Sequence, residues 1–284
     1  MTQDASAPSL PLATDASPAH VLRRAAELLS EGCDVCIATV TACAGSAPSR
    51  PGQKLLVASD GGALGTVGGG GVEHAVVQRI QALLASARDV PEVMSFHLAH
   101  DLGMACGGRV DLLVEPMRAA TPVLLVGAGH IGIALARWLS QLRFRVLLTD
   151  QRASAVHPER TAGLRGVTAL LGEPDGLEDR VSKSGAVVVA THEHALDEAA
   201  VVWAMRAGYA YVGGVGSRAK AQRIRKRLDA EGLHADRTTQ LRMPVGLSIG
   251  ARTPEEIALS IAADLVAWRA GQRSTEPACI EPAK

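Results

Sequence analysis

The sequence predicts an α/β protein with a smaller N-terminal α+β domain and a C-terminal domain built on a parallel sheet. The chain has 284 residues, a length that suits two domains. From residue 122 onward, short apolar runs alternate with stretches of helical periodicity, which is typical of parallel strands connected by helices. The polar break between Pro116 and Thr121 marks the expected boundary.

These features give expected domains over residues 19–117 and 120–270. The flanking segments 1–18 and 271–284 are polar and rich in Ala, Ser and Pro. Because such segments bury little apolar surface, we expect both to be disordered tails.

Composition narrows the classes of function. Lys and Arg together number 29, as do Asp and Glu, so the chain has no net charge. Because nucleic acids and anionic lipids are attracted by positive charge, we expect neither a nucleic acid nor a membrane as a partner. The five cysteines are scattered, which favours a reducing compartment over a disulfide framework. The N-terminus lacks the features of a signal peptide, and no apolar run approaches the roughly 18 residues of a membrane span. We therefore expect a cytoplasmic protein.

The N-terminal domain mixes helices and strands. The spacing of its apolar residues predicts amphipathic helices over His20–Ser30 and from Val72 onward. The turn sequence Ser59-Asp60-Gly61-Gly62 predicts a hairpin. The predicted strands are Val35–Thr41, Lys54–Ala58, Val93–His97 and Arg109–Glu115.

The C-terminal domain repeats a strand and then a helix. Its last helix is marked by Thr253 as N-cap and Glu256 as reciprocal partner, and its apolar face continues to about Trp268. The predicted strands are Pro122–Val126, Arg145–Asp150, Gly185–Thr191 and Ala210–Gly214. The predicted helices between them are Ile131–Leu142, Asp197–Arg206 and Ser217–Glu231.

A glycine-rich turn follows the first of these strands. Gly127 would permit a tight turn, Gly129 would let the backbone approach a pyrophosphate, and Gly132 would allow close packing of helix on strand. Asp150, at the end of the next strand, would accept hydrogen bonds from ribose hydroxyls and favour NAD over NADP, although Arg152 lies close enough to blur that preference. The pattern predicts a Rossmann-like domain, with or without a bound nucleotide.

Polar residues follow two further strands. His192 and His194 are candidates for a proton carrier or a metal ligand, with helix capping as the structural alternative. Ser217, Arg218 and Lys220 begin a basic helix where the sheet opens, and they suit a phosphate group. A solvated helix face is the alternative for these three.

Glycines and a cysteine stand out in the N-terminal domain. A run of four glycines, beginning with Gly68, Gly69 and Gly70, suits either an anion-binding nest or a flexible turn. Cys106, before Gly107 and Gly108, could present a thiolate to a soft metal ion. The Cys33-x-x-Cys36 pair lacks a second such pair, and we interpret it as structural.

Several segments occur together in one order along the chain. They are Gly45-Ser46-Ala47-Pro48, Gly65 to Glu73, Cys106 to Pro116, Val126 to Gly132, Thr149 to Arg152, Thr191 to Asp197, Tyr211 to Lys220 and Pro244 to Leu265. This arrangement resembles the xanthine dehydrogenase accessory protein family, the XdhC/CoxI-like proteins, over about Val21 to Arg269.

The resemblance implies a chaperone for the molybdenum cofactor (molybdopterin) rather than an enzyme. Such a protein would bind the cofactor, shelter it while a cysteine desulfurase-type sulfurase replaces an oxo ligand with sulfur, and deliver it to an apo xanthine dehydrogenase-like hydroxylase. A homodimer is also expected, from the general frequency of dimers.

The resemblance also implies roles for individual residues. Gly68 to Gly70 and Glu73 would line the N-terminal part of the cofactor site. Cys106, as metal ligand, would lie near molybdenum together with Gly107 and Gly108. Ser217, Arg218 and Lys220 would meet a pterin or nucleotide phosphate.

The chain departs from the family pattern in two places. Family members often show Ser-x-Pro-Arg, whereas this chain has Ser49 after Pro48 and Arg50 one place later. Some relatives carry a cysteine where this chain has Gly71. Two other functions stay open: an NAD-dependent oxidoreductase that acts on a small molecule through Asp150 and a histidine, and a nucleotide sensor without chemistry.

Overall fold

The computed structural model describes residues 16–86, 89–103, 107–233 and 240–273. The chain divides into two compact units, one ending at Ala119 and the other running from Ala120 to Ala270.

The first unit is an antiparallel sheet with a helix on each face. Its strands lie in the order β3-β2-β1-β5-β4. In chain order the elements are α1 (Pro18–Glu31), β1 (Val35–Ala44), β2 (Lys54–Ala58), β3 (Ala63–Gly65), α2 (Gly70–Ala85), β4 (Glu92–His97), α3 (Leu98–Leu102) and β5 (Arg109–Met117).

The central strand β1 is buried on both faces. Val35 and Ile37 pack with α1, whereas Cys36, Ala38 and Val40 pack with α2 on the other face. Because side chains alternate along a strand, this explains why the run reads as continuously apolar. The predicted hairpin is confirmed: β2 and β3 are antiparallel, and the Ala58 N–H donates to the Gly62 carbonyl across the turn.

Helices extend into both of the segments that were expected to be disordered tails. Helix α1 begins at Pro18, where the Ser17 hydroxyl accepts a hydrogen bond from the His20 N–H at 3.3 Å. An N-cap serine followed by proline is a local start signal. The last helix likewise continues to Arg273. Residues 1–15 and 274–284 lie outside the described part of the chain.

The second unit is a six-stranded parallel sheet in the order β11-β10-β9-β6-β7-β8. The chain runs outward from β6 and then returns to β9, so the strand order reverses between these two neighbours, as in a Rossmann fold. Its elements are β6 (Thr121–Val126), α4 (His130–Gln141), β7 (Phe144–Asp150), α5 (Pro158–Thr161), β8 (Val167–Leu171), a 3-10 helix (Pro174–Arg180), β9 (Ala186–Val189), α6 (His194–Ala207), β10 (Tyr211–Gly214), α7 (Arg218–Ala230), β11 (Leu241–Arg242) and α8 (Pro254–Arg273).

Helices cover both faces of this sheet. Val123 and Leu125 of β6 pack with α4 and α8, and Leu124 and Val126 pack with α6 and α7. The predicted capping box of α8 is confirmed, since Thr253 Oγ1 accepts from the Glu256 N–H at 3.2 Å and Glu256 Oε2 accepts from the Thr253 N–H at 2.9 Å.

Among the described residues, two strands, β8 and β11, were not predicted, and β3 was predicted only as the second arm of the hairpin. β11 has two residues, which is too short for a periodic pattern. β8 is an edge strand of intermediate burial whose last residue, Leu171, is exposed. None of the helices in the described residues is long and apolar enough to cross a membrane.

A buried arginine closes the C-terminal end of α2. Its guanidinium donates to the carbonyls of Leu83, Leu84 and Ser86 and to the carboxylates of Asp34 and Asp89, and its side chain is only 6% exposed. The last carbonyls of a helix have no partner within the helix, so this residue, Arg118, satisfies groups that would otherwise be buried without one.

We therefore expect Arg118→Met to lower the free energy of unfolding by about 3 kcal/mol, because the helix-end carbonyls and two partly exposed carboxylates would lose their common donor. Urea denaturation of the full chain measures this change. Arg23→Met, on the exposed surface of α1, is the control and should change stability by less than about 0.5 kcal/mol. Equal stability of the two variants would contradict the role given to Arg118.

Candidate functional site

The turn after β6 is built by close backbone contacts. Gly127 has φ +109°, and a Cβ placed there would lie 2.3 Å from the Ala190 carbonyl oxygen. A Cβ on Gly132 would lie 1.9 Å from the Gly127 carbonyl oxygen. A Cβ on Gly129, by contrast, would meet nothing within 4 Å. Two glycines thus pack the turn, and the third leaves its backbone open at the N-terminus of α4.

Asp150, at the end of β7, supports this turn. Its Oδ2 accepts from the Ala128 N–H at 2.9 Å and from Arg152 Nη2 at 2.8 Å, and its Oδ1 accepts from Arg152 N–H and Nε. Burial alone would raise the pKa of Asp150, but the hydrogen bonds from Arg152 and Ala128 outweigh it and lower the pKa to about 2. The carboxylate is therefore ionised, and the structure gives it four donors from the protein itself.

A crevice of about 160 Å³ opens at the carboxyl ends of β6, β7, β8 and β9. One wall is apolar and comes mainly from α6, with Leu196, Ala199 and Trp203. The rim is acidic, with Asp150, Glu173 and Asp175, and includes His192. This is the edge where parallel α/β sheets bind ligands, at the reversal of strand order. The volume is smaller than that of most small-molecule pockets, about 300 Å³ or more, so the crevice suits part of a ligand.

Lys220 takes part in a buried network rather than facing solvent. Its Nζ donates to Asp197 Oδ2 at 2.9 Å, and both side chains are 8% exposed. Asp197 Oδ1 also accepts from the N–H and the hydroxyl of Thr191. The predicted phosphate-binding lysine therefore anchors the loop at the end of β9. Asp197 was not predicted as a site residue, because no local pattern in the sequence indicates a partner 23 positions away.

The other predicted residues of this edge remain at the surface. Ser217 caps α7 by accepting a hydrogen bond from the Lys220 N–H, and Arg218 beside it is exposed. The His194 side chain is 91% exposed, and its Nδ1 lies 3.9 Å from Asp197 Oδ2. The crevice lining contains His192 but, among the described residues, neither Ser217 nor Arg218.

In the first unit, Glu73 organises the glycine loop from within. Its Oε2 accepts from the Thr66 hydroxyl at 2.6 Å and from the N–H groups of Val67 and Gly69 at 3.4 and 3.2 Å. The residue is 6% exposed and lies in the first turn of α2, where a carboxylate is favoured by the helix dipole. Glu73 therefore shapes the loop from its buried side.

Residues 45–49 join the two glycine motifs of this unit. The Ser49 hydroxyl donates to the Val67 carbonyl at 2.7 Å, and a Cβ on Gly68, whose φ is +121°, would lie 2.1 Å from Ser49 Oγ. At the other end, a Cβ on Gly108 would lie 2.7 Å from the Ala44 carbonyl oxygen and 2.9 Å from the Ala47 nitrogen. The three motifs are thus in contact with one another, and their exposed parts are called the glycine surface.

Two glycines of this surface are open. A Cβ on Gly69 or on Gly107 would meet nothing within 4 Å. Gly70, next to Gly69, begins α2. Cys106, the predicted metal ligand, lies outside the described residues. Ser49 was missed as a site residue, although its place directly after Gly45-Ser46-Ala47-Pro48 was a usable signal.

The structure describes Cys33 and Cys36 as free thiols. Burial raises the pKa of the Cys36 thiol to about 12, whereas a redox-active thiol needs a lowered pKa. Cys33 Sγ lies 3.2 Å from Ser59 Oγ. Both observations are consistent with the interpretation of this pair as structural. Within the described ranges, no group of three or more His, Cys, Asp or Glu side chains could hold a metal ion.

Comparison with known families agrees with these motifs. A family described as the XdhC Rossmann domain matches residues 123–265, half of the chain. A second, described as the XdhC and CoxI family, matches residues 28–97. The chain belongs to the XdhC family. The α/β fold with a Rossmann-type second unit, predicted from the sequence, is confirmed.

Three curated relatives of this family member are similar in sequence. YqeB of Escherichia coli (strain K12) is 28% identical over 254 residues, which cover 87% of this chain and 46% of YqeB. The molybdenum cofactor insertion chaperone PaoD of the same organism is 26% identical over 297 residues, covering 92% of this chain and 91% of PaoD. A probable xanthine dehydrogenase subunit of Bacillus subtilis (strain 168) is 26% identical over 186 residues, covering 65% of this chain and 53% of the Bacillus protein. The chain thus spans about half the length of two of these relatives and nearly all of PaoD.

Among solved structures, a xanthine dehydrogenase from Bacillus halodurans matches with a TM-score of 0.49 and 18% identity. The match covers 90% of this chain and 97% of that chain.

Loss of the Glu73 carboxylate should loosen the glycine loop of this XdhC-type unit. In Glu73→Ala, we expect the amide hydrogens of Val67 and Gly69 to exchange about tenfold faster, because a buried acceptor is removed. Hydrogen exchange followed by NMR measures this. Glu31→Ala, at the exposed end of α1, should leave both amides unchanged. Unaltered exchange in Glu73→Ala would show that the loop holds its shape without the carboxylate.

Loss of Lys220 should destabilise the protein even without a ligand. We expect Lys220→Met to lower the free energy of unfolding by about 3 kcal/mol, because Asp197 stays buried without its counter-ion. Lys226→Met, on the exposed face of the same helix, is the matched control. A lysine that served only a bound phosphate would leave the stability of the ligand-free protein unchanged, so equal unfolding midpoints would refute the buried-pair role.

Proposed function

We propose that this chain is a molybdenum cofactor-binding chaperone that delivers the cofactor to a xanthine dehydrogenase-like hydroxylase. The observation that carries the proposal is the match to the insertion chaperone PaoD, which covers nine-tenths of both chains. A match over both units is stronger support than the fold, since Rossmann folds serve many functions.

The first unit offers surfaces that fit such a group. Gly69 and Gly107 leave open space where a side chain would stand, so a ligand can approach the backbone there. Glu73 and Ser49 hold the surrounding loops from their buried sides. The N–H groups of Val67, Gly68 and Gly69 already donate to Glu73 and Thr66, so an anionic group such as a phosphate would meet the next N–H groups, in the first turn of α2.

The residues proposed to hold the cofactor are those that the family resemblance implies. In the first unit they are Gly68, Gly69, Gly70, Gly107 and Gly108, with Glu73 as a positioning residue. Cys106 would supply a thiolate to molybdenum. In the second unit, Ser217 and Arg218 would meet a phosphate, and Lys220 would act through Asp197. Once delivered, the cofactor supplies the redox chemistry of the hydroxylase that receives it.

The proposal includes the cellular setting of the chaperone. The protein would act in the cytoplasm, protect the cofactor, present it to a cysteine desulfurase-type sulfurase for sulfuration, and function as a homodimer. The support for protection and sulfuration is the family resemblance, that for the cytoplasm is the scattered cysteines, and that for the homodimer is the general frequency of dimers.

A second candidate is an NAD-dependent oxidoreductase. The observation that favours it is the crevice at the reversal of strand order, with an ionised Asp150 and with His192 on its rim. The first candidate accounts better for the glycine surface of the first unit, which an oxidoreductase of this kind would not need.

Purification from a molybdenum-replete host tests the chaperone proposal. We expect molybdenum and a pterin to copurify, as measured by metal analysis and fluorescence of the released pterin. Gly107→Leu fills the open space above the backbone and should lower the molybdenum content at least about tenfold, a loss of about 1.4 kcal/mol or more in binding. Gly271→Leu, also at an open glycine, is the matched control and should keep its content.

Other outcomes would contradict the proposal. Wild-type protein without molybdenum, or a Gly107→Leu variant loaded like wild type, would refute the proposed site. Full loading of Cys106→Ala would reject the thiolate assignment alone. Stoichiometric NADH binding with reduction of a carbonyl compound would favour the oxidoreductase.

A further inference from the structure

The crevice of the second unit contains a feature that the chaperone role does not use. Asp150 is placed where a Rossmann-type sheet presents a carboxylate to ribose hydroxyls. Its side chain is 3% exposed, and both oxygens already accept two hydrogen bonds each. Since a carboxylate oxygen has two lone pairs, Asp150 has no capacity left for a ribose diol.

The four donors differ in how easily they can leave. Two are backbone N–H groups, of Ala128 in the glycine turn and of Arg152 itself. The other two belong to the Arg152 guanidinium, whose side chain is 41% exposed. The guanidinium can therefore turn into solvent without breaking the turn, and its departure frees one position on each oxygen.

The guanidinium also lies beside the place where a phosphate would bind. Arg152 Nη2 and the Ala128 N–H of the glycine turn share one acceptor, Asp150 Oδ2, at 2.8 and 2.9 Å. The next residue, Gly129, leaves its backbone open at the start of α4. An anionic group at that helix N-terminus would lie within reach of the guanidinium, which binds phosphate well.

The rest of the crevice sets the class of ligand. The wall of Leu196, Ala199 and Trp203 suits a flat heterocyclic base. Glu173 and Asp175 make the outer rim acidic, and Glu173 accepts from Gln151 Nε2 at 3.1 Å. A phosphate on the ribose itself would meet these carboxylates, so the ribose should carry free hydroxyls.

We propose that Arg152 is a phosphate-released gate, so that the crevice admits a nucleoside diphosphate with a free ribose diol and rejects the nucleoside alone. The diphosphate draws the guanidinium away from Asp150, and the two ribose hydroxyls take its place as donors. A nucleoside brings no such partner and must displace the guanidinium unaided. The gate concerns the second unit and goes beyond the chaperone function.

Binding of ADP, GDP, CDP and UDP, each compared with its nucleoside by calorimetry, tests the gate. In wild type we expect at least one diphosphate to bind about tenfold or more tightly than its nucleoside. The diphosphate replaces Asp150 as the anionic partner of the Arg152 guanidinium, whereas a nucleoside breaks that pair and offers no replacement. In Arg152→Ala that nucleoside should gain about tenfold in affinity, and the ratio between the two ligands should shrink accordingly. Asp150→Asn combined with Arg152→Ala should abolish the gain.

Controls separate the gate from a merely structural arginine. Arg223→Ala removes an exposed arginine of α7 that pairs with Glu198, and it should leave every affinity unchanged. The gate is overturned if Arg152→Ala gains no affinity for any nucleoside, or if no probe binds to either protein. Molybdenum content, measured on the same preparations, reports on the chaperone proposal independently, so the two proposals can fail separately.

Discussion

The second unit depends on a contact between two backbone segments that leaves no room for a side chain. The turn after β6 runs so close to the residue after β9 that a Cβ on Gly127 would lie 2.3 Å from the Ala190 carbonyl oxygen. The same turn receives α4 through Gly132, and Asp150 holds it through the Ala128 N–H. Because β6 and β9 are the strands between which the order reverses, this contact defines the crevice and its position.

The first unit, built on an antiparallel sheet, also has glycines packed directly against distant segments of backbone. Gly68 lies against Ser49, and Gly108 lies against the chain at Ala44 to Ala47, so segments distant in sequence are in contact. In both units, glycines of two kinds stand side by side. Some are packed so tightly that any side chain would collide, and others, such as Gly69 and Gly129, are open. Packed glycines build the loops, and open glycines leave the backbone accessible.

The charged residues of the predicted sites are satisfied mostly within the protein. Lys220 pairs with Asp197, Glu73 holds its own loop, and Arg152 covers Asp150. Burying an ion costs more than its attraction returns unless a partner and further hydrogen bonds are in place, and each of these groups has them. A residue of the right type at the expected place can therefore act by positioning a loop, or by closing a site, without touching the ligand.

The sequence alone determined what depends on neighbours along the chain. Three features depend only on backbone geometry over a few residues: the glycines from Gly127 to Gly132 after an apolar run, the Thr253 cap and the turn at residues 59–62. The structure has all three where the sequence predicted them. Only the tertiary structure decided which charges and hydroxyls meet. Lys220 donates a hydrogen bond to Asp197, 23 positions away in the sequence. The partners Ser49 and Val67 are 18 positions apart, and Arg118 and Asp34 are 84 positions apart. Periodicity and turn chemistry are local, whereas the partner of a buried polar group depends on which distant segment the packing brings within about 3 Å.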